Sequence, residues 1–303
     1  MSTHTLNPAK PSDQATSDAA LASAARRRRF LRRLPFNTVL LVLFLVLAVY
    51  PLFWLLTSSF KTQYEFLNSP FYAMPEHFDF TNYREAFVTG HLWTYIHNSI
   101  LAVFPALALM LVLGIPAGFA LEVMVFKGRG AFLVIFLIGI MVPGQMILLP
   151  LFTIYYKLQL TDSLWPLIIT YTATGLPLTV FMMATYFRAV PRELFEAATV
   201  DGASIFRSFW SVGVPVVRNA IFTVGLVQFF FFWNDLLIAL TFSNSNDLQT
   251  LQVGLLNFTG QYGAVDYGPT FAAICVSVFG TLIIYLILNQ RIMRGLTAGS
   301  VKG

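Results

Sequence analysis

ELFEAATVDGASIFRSFWSVGVP, Glu193 to Pro215, is a short polar island between two long apolar runs, Leu164 to Phe187 and Ala220 to Phe242. Each run is long enough to cross roughly 30 Å of hydrocarbon as a helix, whereas the island is too short to bury a core of its own. Inside the island, Pro191 falls where a first helical turn tolerates it, Glu193 sets negative charge near a helix N-terminus, and Asp201-Gly202 supplies a corner where positive φ is easy. The pattern predicts a short helix, a sharp turn and a second short helix. In the second, Ile205 with Phe209 and Phe206 with Trp210 are four apart and share a face, while Ala197 and Ala198 leave the first helix thin enough for close approach. A docking hairpin and an amphipathic loop lying on a membrane surface both fit this pattern.

Outward from the island the chain stays apolar. It is 57% hydrophobic and 11% charged, with a mean hydropathy of +0.70, which excludes a soluble globular domain and predicts an all-α integral membrane protein. No backbone amide can be left unpaired in lipid, so each apolar run must be a helix of about twenty residues. Six runs qualify: Asn37 to Ser59, Ser99 to Val125, Ala131 to Tyr155, Leu164 to Phe187, Ala220 to Phe242 and Pro269 to Leu288. Glycine and proline recur inside them, at Pro105, Gly114, Pro116, Gly118, Pro143, Gly144, Pro150, Gly175 and Pro177, where they permit close helix approach and local kinks.

Basic residues orient the spans. Of the 19 Lys and Arg, only Lys61, Arg84 and Lys157 fall on one side; Arg26 to Arg29, Arg188, Arg192, Arg207, Arg218, Arg291, Arg294 and the rest fall on the other. Positive charge is retained inside, so both termini and the island are expected on the cytoplasmic side of the membrane. The net charge of +5 thus reflects topology and gives no indication of nucleic-acid binding. Residues 1–36 read as a disordered basic tail, with Arg26 to Arg33 preceding a retained first span rather than a cleaved signal. Residues 37–303 form one membrane domain with a cytoplasmic loop over 188–219.

Catalytic chemistry has little to stand on. The histidines, His4, His77, His91 and His97, show no zinc-binding pattern, so no metal site is expected; the one cysteine, Cys275, permits no internal disulfide. No Gly-rich loop ends in Gly-Lys-Ser or Gly-Lys-Thr, so any ATP that drives the protein must be bound by another subunit. Asp235 is the one ionisable residue well inside a span. A carboxylate at mid-membrane costs about 2.5–3.5 kcal/mol, so it must face protein or water. Asn234 and Asp235 either bond to a neighbouring helix or line a polar pathway.

Glu196-Ala197-Ala198, three residues, Gly202, nine residues and Val212-Gly213-Val214-Pro215 resemble the EAA signature of the permease subunits of binding-protein-dependent ABC importers. Val212 and Val214 stand where the family usually has Ile and Leu. Tyr50-Pro51-Leu52-Phe53-Trp54, Asn82-Tyr83, Asn98-Ser99, Trp233-Asn234-Asp235 and the C-terminal stretch from Gly295 to Gly303 are similar to the sugar-uptake branch, in particular to the smaller maltose-type permease subunit. The likeness implies a type I ABC importer permease fold with six transmembrane helices. It also implies a non-enzymatic subunit that moves a sugar or sugar-like solute by alternating access. By that likeness, Glu196, Ala197, Ala198, Asp201, Gly202 and Pro215 couple to the ATPase, and Thr297, Gly299, Val301 and Lys302 reach it from the C-terminal tail. Asn257, Gln261 and Tyr262 would meet the solute-binding protein, and Asn234 and Asp235 the substrate. The implied partners are a second six-span permease subunit forming a heterodimer, an ATP-binding subunit dimer that holds ATP and Mg, an extracellular or periplasmic solute-binding protein and the lipid bilayer. An ion-coupled secondary carrier is the alternative.

Overall fold

The computed structural model describes residues 36–258 and 265–300, with side chains described over 38–258 and 265–288. The chain divides into two compact units, Met1–Leu55 and Leu56–Gly303. In the first, helix α1 (Phe36–Ser58) begins and runs through Pro51. Its apolar side chains from Val39 to Leu47 are all exposed, as on a helix whose surroundings are lipid or protein rather than water.

The second unit contains α2 (Gln63–Asn68), α3 (Thr81–Val88), α4 (Leu92–Glu122), α5 (Arg129–Met141), α6 (Gly144–Lys157), α7 (Trp165–Arg188), α8 (Glu193–Val200), α9 (Ile205–Ser208), α10 (Val214–Trp233), α11 (Leu237–Phe242), α12 (Leu251–Gly254) and α13 (Tyr267–Ser300). A π-helical turn, Phe209–Gly213, joins α9 to α10. Among the described residues, five helices are long and apolar enough to cross a membrane, and α5 with α6 brings the number to six if the pair counts as one span.

The centre of this unit is the pairing of α4 with α7. Small residues let the two backbones close: a Cβ on Gly118 would lie 2.6 Å from Met183 Cβ, and one on Gly114 would lie 2.6 Å from Thr179 Cγ2. Around the Leu92 half of α4, buried Ala102, Ala106, Met110, Leu167, Tyr171, Phe229, Phe232 and Trp233 form one core; around its Glu122 end, Phe119, Met183, Phe187, Phe195 and Phe209 form another. Gln228, buried between α7 and α10, is paired, as hydrocarbon favours. Gln228 Nε2 donates to the Gly175 carbonyl at 3.0 Å and to Thr179 Oγ1 at 3.2 Å.

Three expected elements differ in form. The run Ala131 to Tyr155 is two helices, α5 and α6, bent by 95°. Val142, preceding Pro143, takes an extended conformation (φ −71°, ψ 117°) because the proline ring crowds the helical region for the residue before it. Pro143 is extended as well, so the chain changes direction before α6 begins. The run Ala220 to Phe242 ends its helix at Trp233 and restarts at Leu237; Asp235 therefore lies in a break rather than inside a continuous span. The island's second helix is not a separate short helix but passes through the π turn directly into α10.

Candidate functional site

The island folds as a hairpin whose corner is fixed by its own backbone. Helix α8 ends with Gly202 at φ +80°, the left-handed conformation that glycine adopts without strain. Gly202 N–H donates to the Thr199 carbonyl at 3.0 Å and Ala203 N–H to the Ala198 carbonyl at 2.9 Å, the paired bonds of a Schellman C-cap. Ser204 then starts α9, its side chain accepting from Arg207 N–H at 3.3 Å. Pro191 stands just before α8, whose N-cap is Arg192.

Two phenylalanines hold the hairpin against the bundle. Phe119, near the end of α4, meets Phe195 of α8 and Phe209 of the π turn edge to face, at centroid separations of 5.7 and 5.1 Å, and Phe187 of α7 at 5.3 Å. Burying two Phe side chains contributes about 1.5–3 kcal/mol each. An Arg188–Glu122 ion pair at 3.0 Å ties the ends of α7 and α4 beside them. The anchoring contacts of Phe195 and Phe209 are what sequence reading did not find. Phe209 lies one helical turn beyond Ile205, as expected, but Phe209 is buried while Ile205, at the exposed start of the helix, is not.

The hairpin presents large apolar side chains outward among charged ones. Val200 is 88% exposed, Phe206 76% and Trp210 65%, with Leu194 and Ile205 beside them. Glu196, Ala197, Asp201, Gly202 and Pro215 are exposed and Ala198 half-buried. Glu196 also rims a small cleft with Arg188 and Arg192. Exposed apolar side chains on an anchored hairpin mark a surface that lipid or another macromolecule covers.

The second candidate region is a cavity of about 510 Å³ between α5, α6, α7 and the α10–α11 break. Asp235 Oδ2 accepts from Tyr171 O–H and from Ala239 N–H, both at 3.0 Å. One carboxylate oxygen thus reaches a neighbouring helix and caps an amide that α11 would otherwise leave unpaired. Asn234 stays local, its Nδ2 donating to the Phe230 carbonyl at 3.0 Å, and it does not line the cavity.

At the Leu92 end of α4, the motif residues act as pins. Asn82 Nδ2 donates to the Ser59 and Lys61 carbonyls at 3.0 and 2.9 Å. Asn98 Nδ2 donates to the Asp247 and Gln249 carbonyls at 2.7 and 3.0 Å, and Ser99 Oγ accepts from Leu251 N–H at 2.8 Å. Asn257 is exposed at the turn after α12, with Nδ2 bonded to Tyr95 Oη at 2.9 Å and to Gln249. Gln261, Tyr262, Val301 and Lys302 lie outside the described residues, as do residues 1–35; Thr297 and Gly299 lie on α13 beyond its described side chains.

An anchored hairpin and a set of long apolar helices, with a mostly apolar cavity that holds one carboxylate, define a multi-pass helical membrane protein. The chain matches the family model for the binding-protein-dependent transport system inner membrane component over residues 110–294. It is 33% identical over 284 residues to the diacetylchitobiose uptake system permease protein NgcG of Streptomyces coelicolor, covering 93% of each chain. It is 32% identical to the multiple sugar-binding transport system permease protein MsmG of Streptococcus mutans, covering 87% of this chain and 95% of that one. Among solved structures, a chain of a bacterial ABC transporter involved in the import of the acidic polysaccharide alginate superposes with a TM-score of 0.74 at 21% identity, covering 94% of this chain and 99% of that chain. The protein belongs to the family of binding-protein-dependent transport system inner membrane components, and its fold is the type I ABC importer permease fold. Family membership makes it a non-enzymatic membrane subunit that works with a separate ATPase and a solute-binding protein.

Proposed function

We propose that the chain conducts a saccharide into the cytoplasm by alternating access, with the Glu193–Pro215 hairpin as the lever on which the ATPase acts. The observation that carries this reading is the hairpin itself, cornered at Gly202, pinned by Phe195 and Phe209, and presenting Val200, Phe206 and Trp210 outward. A rigid element of this kind transmits displacement to the helices beneath it, because Phe119 and Phe187 belong to the same packed cluster. Glu196, Ala197, Ala198, Asp201, Gly202 and Pro215 make up the coupling surface. ATP and Mg bind the partner subunits, and their occupancy shifts the permease only through different affinities for its two packings. The permease names of NgcG and MsmG, both sugar systems, support a saccharide cargo.

The rest of the assembly follows from the same reading. A second six-span subunit completes a heterodimer around the cavity at Asp235. Both termini and the hairpin are cytoplasmic, in keeping with the distribution of Lys and Arg. Residues 1–36 form a tail and 37–303 the permease domain, with the coupling loop at 188–219. Thr297, Gly299, Val301 and Lys302 extend toward the ATPase, and Asn257, Gln261 and Tyr262 toward the binding protein. Reconstitution tests the whole: saccharide uptake into proteoliposomes is expected only when ATPase, second permease subunit, binding protein and ATP are all present. Uptake by the purified chain alone that collapses with an ion gradient would contradict it.

A further inference from the structure

We infer that the cargo passing this wall is a neutral saccharide, and that the Asp235 cavity discriminates against acidic ones. The inference rests on the proposed saccharide function and adds the charge class. The described residues lining the cavity include one formally charged side chain, Asp235, and no Lys, Arg or His. An anion entering would meet a fixed negative charge without a cation on this wall to offset it.

The hydrogen-bond pattern points the same way. Tyr171 gives its hydroxyl hydrogen to Asp235 Oδ2 at 3.0 Å, and Thr174 gives its own to the Thr170 carbonyl at 2.8 Å. Gln228 Nε2 uses both of its hydrogens, on the Gly175 carbonyl at 3.0 Å and on Thr179 Oγ1 at 3.2 Å. Asp235 Oδ1 has no bond to another described residue, since both contacts fall on Oδ2. Thr174 and Asp235, the partly exposed polar side chains of the wall, therefore have acceptor capacity left over and no free donor, while Tyr171 and Gln228 are buried with their donors engaged. A polyhydroxylated solute brings donors to such a surface. A carboxylate or sulfonate brings only acceptors, so it is disfavoured by hydrogen bonding as well as by charge. Phe231, 62% exposed on the same wall, adds an apolar face for the C–H side of a sugar ring.

The test uses the assembled transporter in proteoliposomes with a panel of neutral disaccharides, diacetylchitobiose first, each paired with its C6-carboxylate. Uptake of both members is measured for the wild type, Asp235→Asn and Ala173→Lys. The binding protein's own discrimination is common to all three and cancels in the ratio. The expected result is an acidic-to-neutral uptake ratio that rises roughly tenfold in Asp235→Asn, a change of about 1.4 kcal/mol, and rises again in Ala173→Lys. An unchanged ratio in both variants overturns the inference and leaves the saccharide function standing. Should Asp235→Asn fail to assemble, Ala173→Lys decides alone, because Ala173 is an exposed helical position on the cavity wall. If the wild type moves no saccharide of either charge but moves another class of solute, the proposed function falls and the inference with it.

Discussion

Replacing Gly202 separates the corner of the hairpin from its anchors. An alanine there must hold φ near +80°, and because nothing lies within 4 Å of its Cβ, the cost is backbone strain alone. That strain is about 1–2 kcal/mol. Against it stand the buried Phe195 and Phe209, together roughly 3–6 kcal/mol. Gly202→Ala should therefore keep the hairpin docked and reduce coupled uptake by no more than about thirtyfold. Proline is a different perturbation. Its ring fixes φ at about −65° and removes the N–H that bonds the Thr199 carbonyl, so the corner must open and the Ala203 bond is lost with it. Both variants should insert normally, since the hairpin lies outside the long apolar runs. Proteoliposomes containing the full complex would report uptake and the stimulation of ATP hydrolysis by loaded binding protein. Gly202→Pro should lose both while basal hydrolysis persists; wild-type uptake by Gly202→Pro would refute the reasoning.

Other outcomes follow from particular contacts. Phe195→Ala should destabilise the hairpin by about 3–5 kcal/mol, seen as faster hydrogen exchange over residues 193–215 with α4 and α7 unaffected; exchange at the wild-type rate would mean that Phe195 is no anchor. Gly118→Leu should lower the melting temperature in detergent, because its Cβ would sit 2.6 Å from Met183 Cβ and 2.9 Å from Ala184 N, and overpacking of this kind costs about 1–3 kcal/mol. An unchanged melting temperature would argue against the close α4–α7 approach. In the Thr62–Glu65 capping box, slight burial works to raise the Glu65 carboxyl. Hydrogen bonds from the backbone N–H groups of Thr62 and Glu76 and from the Thr62 hydroxyl outweigh it and hold Glu65 below the usual range. A depressed carboxyl contributes stability that is complete above its unfolded value of about 4.3 and is lost as pH falls through the folded one. Exchange protection over residues 62–76 should accordingly weaken with acid in the wild type and stay flat in Glu65→Gln; equal acid sensitivity in both would assign the effect elsewhere.

Hydropathy and helix chemistry carried the sequence a long way toward this fold, and the places where they stopped share a cause. Spans one, two, four and six contain uninterrupted apolar runs, and the structure forms helices there. Ala131 to Tyr155 is as apolar as the others, but hydropathy carries no information about chain direction, and the 95° bend arises from how Pro143 restricts Val142. The start of α10 was hidden because Arg218 and Asn219 interrupt the apolar pattern, although the helix runs through them. Its end was hidden because the Asp235 bonds to Tyr171 and Ala239 depend on packing that no local window contains. The Gly202 corner was legible because its chemistry is local. The anchoring role of Phe195 and Phe209 was not, because their common partner is Phe119, distant in sequence and brought near only by the α4–α7 packing.

A photo-crosslinking residue at Ala198, activated in native membranes and followed by identification of the product, bears most directly on the hairpin as the point of contact with the motor. The expected product is a covalent adduct with the transporter's ATPase subunit, formed in better yield in one nucleotide state than in another. Adducts with lipid alone, in every nucleotide state, would contradict it.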